Sequence, residues 1–175
     1  MAQPATAEAW KRLLDQWLPK PKAKVADLGC GTGSISVLLA RAGHTVVGID
    51  YSPKMIDLAK IKAKQSGLTV QFEEMDAAHP TLADGEFDYV VCRHILWTLP
   101  EPEEVLKRWA ELLTPTGAMF LIEGFWMTGG GLKAKDVVSR LPKEFKAVEV
   151  INLSPVQALW GGKVNDERYA VRAKR

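Results

Sequence analysis

Three glycines and an acid crowded into Val25-Ala26-Asp27-Leu28-Gly29-Cys30-Gly31-Thr32-Gly33 constrain this chain more than any other feature. Val25 to Leu28 read as a buried strand, and Ser34 to Ala42 as a helix with Ile35, Leu38, Leu39 and Ala42 at helical spacing. The glycines sit where the chain reverses. Glycine there allows φ > 0 and lets a ligand lie against the backbone, while the first N–H groups of the helix offer a polar floor. Nucleotide binding is the chemistry that asks for such a turn.

Spacing narrows the ligand. A dinucleotide turn is expected as G-x-G-x-x-G, whereas Gly29, Gly31 and Gly33 follow G-x-G-x-G and Ser34 comes next. Asp27, at the carboxyl end of its strand, suits a ligand cation and would repel a pyrophosphate. Thr45 to Ile49 make a second strand ending at Asp50, the usual place for an acid that holds ribose hydroxyls. A nucleoside with a cationic appendage satisfies both acids.

The rest of the chain alternates strand and helix without repeats. Residues 7 to 18 place Trp10, Leu13, Leu14, Trp17 and Leu18 on one stripe, with Thr6 as N-cap. Ser52 caps a helix that has Pro53 in its first turn and Gly67 at its stop. Val70 to Phe72 read as a short third strand, Phe87 to Cys92 as the fourth and Met119 to Glu123 as the fifth. Between the last two, residues 101 to 113 read as a helix with i,i+4 pairs Glu103–Lys107 and Glu104–Arg108 on its wet side. Gly129-Gly130-Gly131 is the expected mobile loop; a short helix near 133 to 141 and strands near 146 to 152 and 167 to 173 follow. This pattern predicts a doubly wound α/β fold, a mostly parallel sheet with helices on both faces.

The residues so far resemble the class I S-adenosylmethionine-dependent methyltransferases of small-molecule type. Asp27 to Gly33 is similar to that family's first motif and Val47-Gly48-Ile49-Asp50 to its second-strand acid. Met75-Asp76-Ala77 resembles the acidic position near the adenine, Phe87 to His94 the fourth-strand motif, and Leu113 to Ala118 the turn into strand five. The likeness covers about residues 22 to 125 and extends weakly to Leu159-Trp160-Gly161 and Asp166 to Tyr169. It implies a Rossmann-like seven-stranded sheet in the order 3-2-1-4-5-7-6 with an antiparallel last strand. A single domain, 1–175, would divide into a short helical lid (1–21), a cofactor core (22–125) and substrate-side closing strands (126–175). S-adenosyl-L-methionine is the implied cofactor and S-adenosyl-L-homocysteine its product. The resemblance further implies that the backbone around Gly29 to Gly33, including Cys30, Gly31 and Thr32, and the carbonyl near Cys92 or Arg93 receive the methionine end. Asp27 would support them, Asp50 would bind ribose, Asp76 with the Ala77 N–H would read adenine, and Tyr51, Met55 and Ala78 would flank the ring.

Methyl transfer from a sulfonium is an in-line displacement, so placement and exclusion of water matter more than a covalent residue. His94 is the candidate base, set against its being an ordinary residue of a strand end. Arg93 and Glu123 are candidate substrate contacts. Trp97, Trp126 and Trp160 fall in loops at strand ends and are further substrate candidates, against the alternative that they seal a domain edge; Trp10, Trp17 and Trp109 read as core. Asp76 could equally serve a turn, and Cys30 a small filler.

No His, Cys or acid cluster has metal-ligand spacing, so no metal is expected. A net charge of +2 with scattered lysines argues against a nucleic-acid partner, as does Val91-Cys92-Arg93-His94 where nucleic-acid methyltransferases carry Asn/Asp-Pro-Pro-aromatic. Two cysteines at different strand ends suit a reducing cytoplasm, and no apolar run approaches the ~20 residues of a membrane span. The expected activity is methyl transfer to a small molecule at O, N, S or C; the alternative is an S-adenosylmethionine-binding regulatory subunit. A short lid raises self-association as a further possibility.

Overall fold

Seven strands form one sheet in the order β3-β2-β1-β4-β5-β7-β6. They are β1 (Lys24–Leu28), β2 (Thr45–Asp50), β3 (Gln71–Glu74), β4 (Phe87–Arg93), β5 (Leu113–Phe125), β6 (Ala147–Asn152) and β7 (Glu167–Lys174). The computed structural model describes residues 4–175, so the first three residues of the expected lid lie outside the described residues. β3, β2, β1, β4 and β5 pair in parallel, and β7 runs antiparallel to both β5 and β6. Order and strand directions match the sequence expectation.

Strand alternation divides the core between the two faces of the sheet. Val25, Val91, Phe120 and Ile122 point to one side and pack with Trp10, Trp17 and Leu39. Ala26, Leu28, Val90, Cys92, Met119 and Leu121 point to the other and pack with Leu106 and Trp109. Helices α1 (Pro4–Trp17) and α2 (Ser34–Arg41) supply the first layer, and α4 (Pro102–Glu111) the second. Helix α3 (Pro53–Gln65) packs Ile56, Ala59 and Ala63 on Phe72. Two of the buried indoles reach main-chain acceptors: Trp10 Nε1 donates to the Leu159 carbonyl at 2.9 Å and Trp109 Nε1 to that of Ala77 at 2.7 Å.

Several local expectations are corrected. Thr6 lies inside α1 and is not its cap. β3 occupies Gln71–Glu74, not 70 to 72, because its ladder with β2 runs from Val47↔Gln71 to Asp50↔Glu74. α4 stops at Glu111 and β5 begins at Leu113, since Leu113 pairs with Phe87 and the Leu112 carbonyl accepts the Phe87 N–H; the register then shifts before Tyr89↔Ala118. The two expected i,i+4 pairs do not form. Lys107 takes Glu104, while Arg108 turns to the Pro80 and Leu82 carbonyls, Asp84 and Glu111 and so clamps the loop before β4. Gly129 to Gly131 form a closed turn, with Trp126 N–H donating to the Gly130 carbonyl and Gly129 N–H to that of Trp126.

Two short elements had no periodicity to announce them: a 3-10 turn at Leu96–Thr98 and α6 (Gln157–Trp160). Between them in the chain, α5 (Ala134–Ser139) lies near the expected helix. Among the described residues no helix is long and apolar enough to cross a membrane.

Candidate active site

The carboxyl ends of β1, β2 and β4 meet at the glycine turn, and its three glycines do different work. All three have left-handed φ, from +54° to +71°. A Cβ on Gly29 would stand 2.2 Å from Ile95 Cδ1, and one on Gly33 2.9 Å from Ala59 and Phe72 atoms, so these two admit close packing of neighbours. A Cβ on Gly31 would meet nothing within 4 Å. That gap faces a cavity of about 140 Å³ lined by Asp27, Gly29, Gly31, Thr32, Ser34 and Arg93, a size suited to an amino-acid end rather than a whole nucleoside.

Electrostatics agree with a zwitterionic guest. Asp27 is buried, accepts a hydrogen bond from Ser36 Oγ and has Arg93 as the cation that favours its charged form. Burial pushes its carboxyl up to about 6, against the pull of Ser36 and Arg93. Burial lowers Arg93 from its ordinary range while Asp27 raises it, and its guanidinium lies 5.3 Å from the Trp10 ring centroid. One acid and one cation thus flank the same small space. The residues present fit the sulfonium nucleoside that the resemblance implies.

Asp50 joins the two strand ends. Its Oδ2 accepts from Gly31 N–H at 2.8 Å and its Oδ1 from Ser52 N–H at 2.9 Å, while Ser52 Oγ caps α3 by accepting from Met55 N–H. After it in the chain come Tyr51 and Met55, 79% and 38% exposed, the side chains expected to flank the adenine ring. Asp76 is exposed and accepts from Ala78 N–H at 2.8 Å, the turn contact weighed for it, with Ala77 and Ala78 buried behind. Cys30 packs with Val37, Ile56 and Phe72 as a small filler, and the Cys92 side chain lies wholly in the core, so only its backbone can face the cavity. Burial raises both thiols well above their usual range.

Four of the expected substrate residues, His94, Trp97, Trp126 and Trp160, gather in one cluster although 66 positions separate His94 from Trp160. His94 has φ +59°, a left-handed value unusual for a side chain, and its ring stands 5.5 Å from Trp126 and 5.9 Å from Trp160. Trp97 packs 5.2 Å from Trp126 and is 42% exposed, while Arg168 lies over both Trp126 and Trp160. His94 Nδ1 is buried without a hydrogen-bond partner. Burial, then Arg93 and Arg168, push the imidazole down to about 4, so it is neutral at pH 7. Glu123 departs from its expected role: it is fully buried, so its carboxylate faces the interior rather than a substrate.

Sequence reasoning missed three contributors. Ser36 carries the bond to Asp27, and its signal is a hydroxyl set between the apolar Ile35 and Val37 of the helix. Lys62 ties α3 to the turn by donating to Thr32 Oγ1 at 2.7 Å and Ser34 Oγ at 2.8 Å, and nothing in its local sequence marks it. Ile95 is the third, placed by a loop with no periodic signal. Among the described residues no group of three or more potential ligands could hold a metal.

The glycines make separable predictions. Gly31→Ala should lower stability by about 1 kcal/mol, the left-handed penalty alone, yet weaken S-adenosylhomocysteine binding at least about tenfold by filling the cavity. Thermal melts and calorimetric titration of the same sample check both halves; unchanged affinity would contradict the placement of the ligand over Gly31.

The model of a family described as "Methyltransferase domain" matches residues 26–121, more than half of the chain. The ubiquinone biosynthesis O-methyltransferase of Thiobacillus denitrificans is 38% identical over 114 residues, covering 62% of this chain and 47% of that protein. The chain spans about half the length of the curated relatives it matches. Among solved structures, the cyclase SpnF superposes with a TM-score of 0.81 at 18% identity, covering 97% of this chain and 81% of that one. A SAM-dependent methyltransferase from Aquifex aeolicus gives 0.74 at 19%, covering 98% and 93%. At these identities the two structures speak for the fold alone.

Proposed function

The chain belongs to the methyltransferase domain family, and from that premise we propose that it is an S-adenosyl-L-methionine-dependent methyltransferase acting on a small-molecule acceptor. The observation that carries the reading is the open face of Gly31, set between Asp27 and Arg93 and tied to Asp50. S-adenosylmethionine supplies an electrophilic methyl group on a sulfonium. Gly29 to Gly33, Asp27 and Arg93 would hold its amino-acid end, and Asp50 its ribose. Asp76 and Ala77 would meet the adenine, with Tyr51 and Met55 against the ring.

The protein's own part is placement and proton removal. Trp97, Trp126 and Trp160 wall the acceptor side and exclude water, and His94 stands among them with a neutral imidazole. Its imidazole is the group assigned to accept a proton as the acceptor atom attacks. Oxygen is the proposed accepting atom, by analogy with relatives named O-methyltransferases. The free, buried Cys30 and Cys92 support a cytoplasmic setting, and the modest net charge of +2 supports a small molecule over nucleic acid. Self-association remains a proposal that gel filtration tests.

Calorimetric titration with S-adenosylhomocysteine tests cofactor binding, and label transfer from methyl-labelled cofactor to a panel of hydroxyl, amine and thiol acceptors tests turnover. Binding without turnover over the whole panel would favour a regulatory subunit. His94→Gln should lower kcat by roughly 10² or more while leaving cofactor affinity within about twofold. A kcat within about threefold of wild type would remove His94 as base.

A further inference from the structure

We propose that Glu123 is a positioning residue for the cofactor pocket, holding Ile95 against the glycine turn through two main-chain hydrogen bonds. The proposal rests on the functional reading above and assigns it a residue that touches no ligand. Glu123 Oε1 accepts from Ile95 N–H at 3.0 Å and from Leu96 N–H at 2.8 Å. These N–H groups open the 3-10 turn Leu96–Thr98, whose own backbone cannot satisfy them. On the other side of the same corner, His94 N–H donates to the Ile122 carbonyl at 2.8 Å. The corner is therefore gripped from two consecutive residues of β5, and the left-handed His94 lies between the grips.

The consequence falls on Gly29. Ile95 sits so close to it that an added Cβ would stand 2.2 Å from Cδ1 and 3.1 Å from Cβ and Cγ2 of Ile95. Ile95 is thus a wall of the glycine turn, and Glu123 sets where that wall stands. A carboxyl is a costly group for the task. Glu123 is wholly buried, its Oε2 has no hydrogen-bond partner, and among the described residues no ion pair reaches it. Retaining such a group fits a need for one acceptor atom at one place, serving two donors together.

The test compares wild type, Glu123→Ala, Glu123→Gln and Ile95→Ala by S-adenosylhomocysteine titration, by cofactor KM against kcat, and by thermal melting. Glu123→Ala should weaken affinity roughly tenfold or more and raise cofactor KM more than it lowers kcat. Glu123→Gln keeps the accepting oxygen and should restore affinity to within about threefold of wild type, whatever its melting temperature. Ile95→Ala should weaken affinity in the same direction as Glu123→Ala. Folded Glu123→Ala with wild-type affinity would overturn the proposal, and if that variant does not fold, unchanged affinity in Ile95→Ala would overturn it instead. Wild-type protein that fails to bind at all would sink the functional reading, a result distinct from either.

Discussion

Asp50→Ala should weaken S-adenosylhomocysteine binding by about 2–3 kcal/mol, roughly 30- to 150-fold. The carboxylate takes two main-chain donors, Gly31 N–H and Ser52 N–H, and keeps further lone pairs for hydroxyl donors of a guest. Removing it deletes ligand contacts and frees the Gly31 amide, which loosens the residue that has nothing over its Cα. Charge-assisted hydrogen bonds carry about 1.5–3 kcal/mol each in such positions. Asp50→Asn separates the two losses, since its amide keeps one acceptor for the turn. The expected order of affinity is wild type, Asn, Ala. Calorimetry that finds Asp50→Ala within about threefold of wild type would break the link between this acid and the nucleoside.

Glu123→Gln should become more stable than wild type as the medium turns alkaline, by on the order of 2–3 kcal/mol between pH 5 and 8.5. Burial raises the Glu123 carboxyl to about 7 from its ordinary 4.5, only partly opposed by the Leu96 and Ile95 amides. Between those two pH values the folded protein holds a proton that the unfolded chain has released, so wild-type stability from this group falls as pH rises. It is fully present below about pH 4.5 and gone above about pH 7. Asp27, raised to about 6, adds a loss of the same sign in a lower window. His94, depressed to about 4 by burial, works the other way, which is why the difference between the two proteins is the quantity to follow. Glutamine cannot ionise and removes one contribution alone. Denaturant unfolding of both proteins at several pH values tests this; parallel profiles would show that Glu123 stays ionised in the fold.

Much of the architecture was legible because the carrying features are local. An apolar strand, a glycine turn and a helix occupy one continuous stretch, and Asp27 and Asp50 stand next to and at the last residue of their strands, respectively. Glu123 was misread because it follows an apolar run at an apparent strand end, whereas β5 continues two residues further, to Phe125, and the 95–98 corner folds over it. Arg108 was misread for a different reason: helical spacing offers it Glu104, but two carbonyls and an acid from the 80–84 loop surround its guanidinium. The His94, Trp126 and Trp160 group depends on β7 bringing its neighbours against β5, a long-range event that no window of sequence reports.

That insertion of β7 also orders events during synthesis. Residues 167–174 leave the ribosome after the other six strands of this sheet, yet they lie between β5 and β6, which do not touch each other in the sheet. Until then the nascent chain carries an unzipped β5 flank with Phe120 and Ile122 at its centre, and β6 has no ladder to join. A chain stalled short of Glu167 is left with an open apolar margin, the kind of surface on which holdase chaperones and neighbouring nascent chains compete.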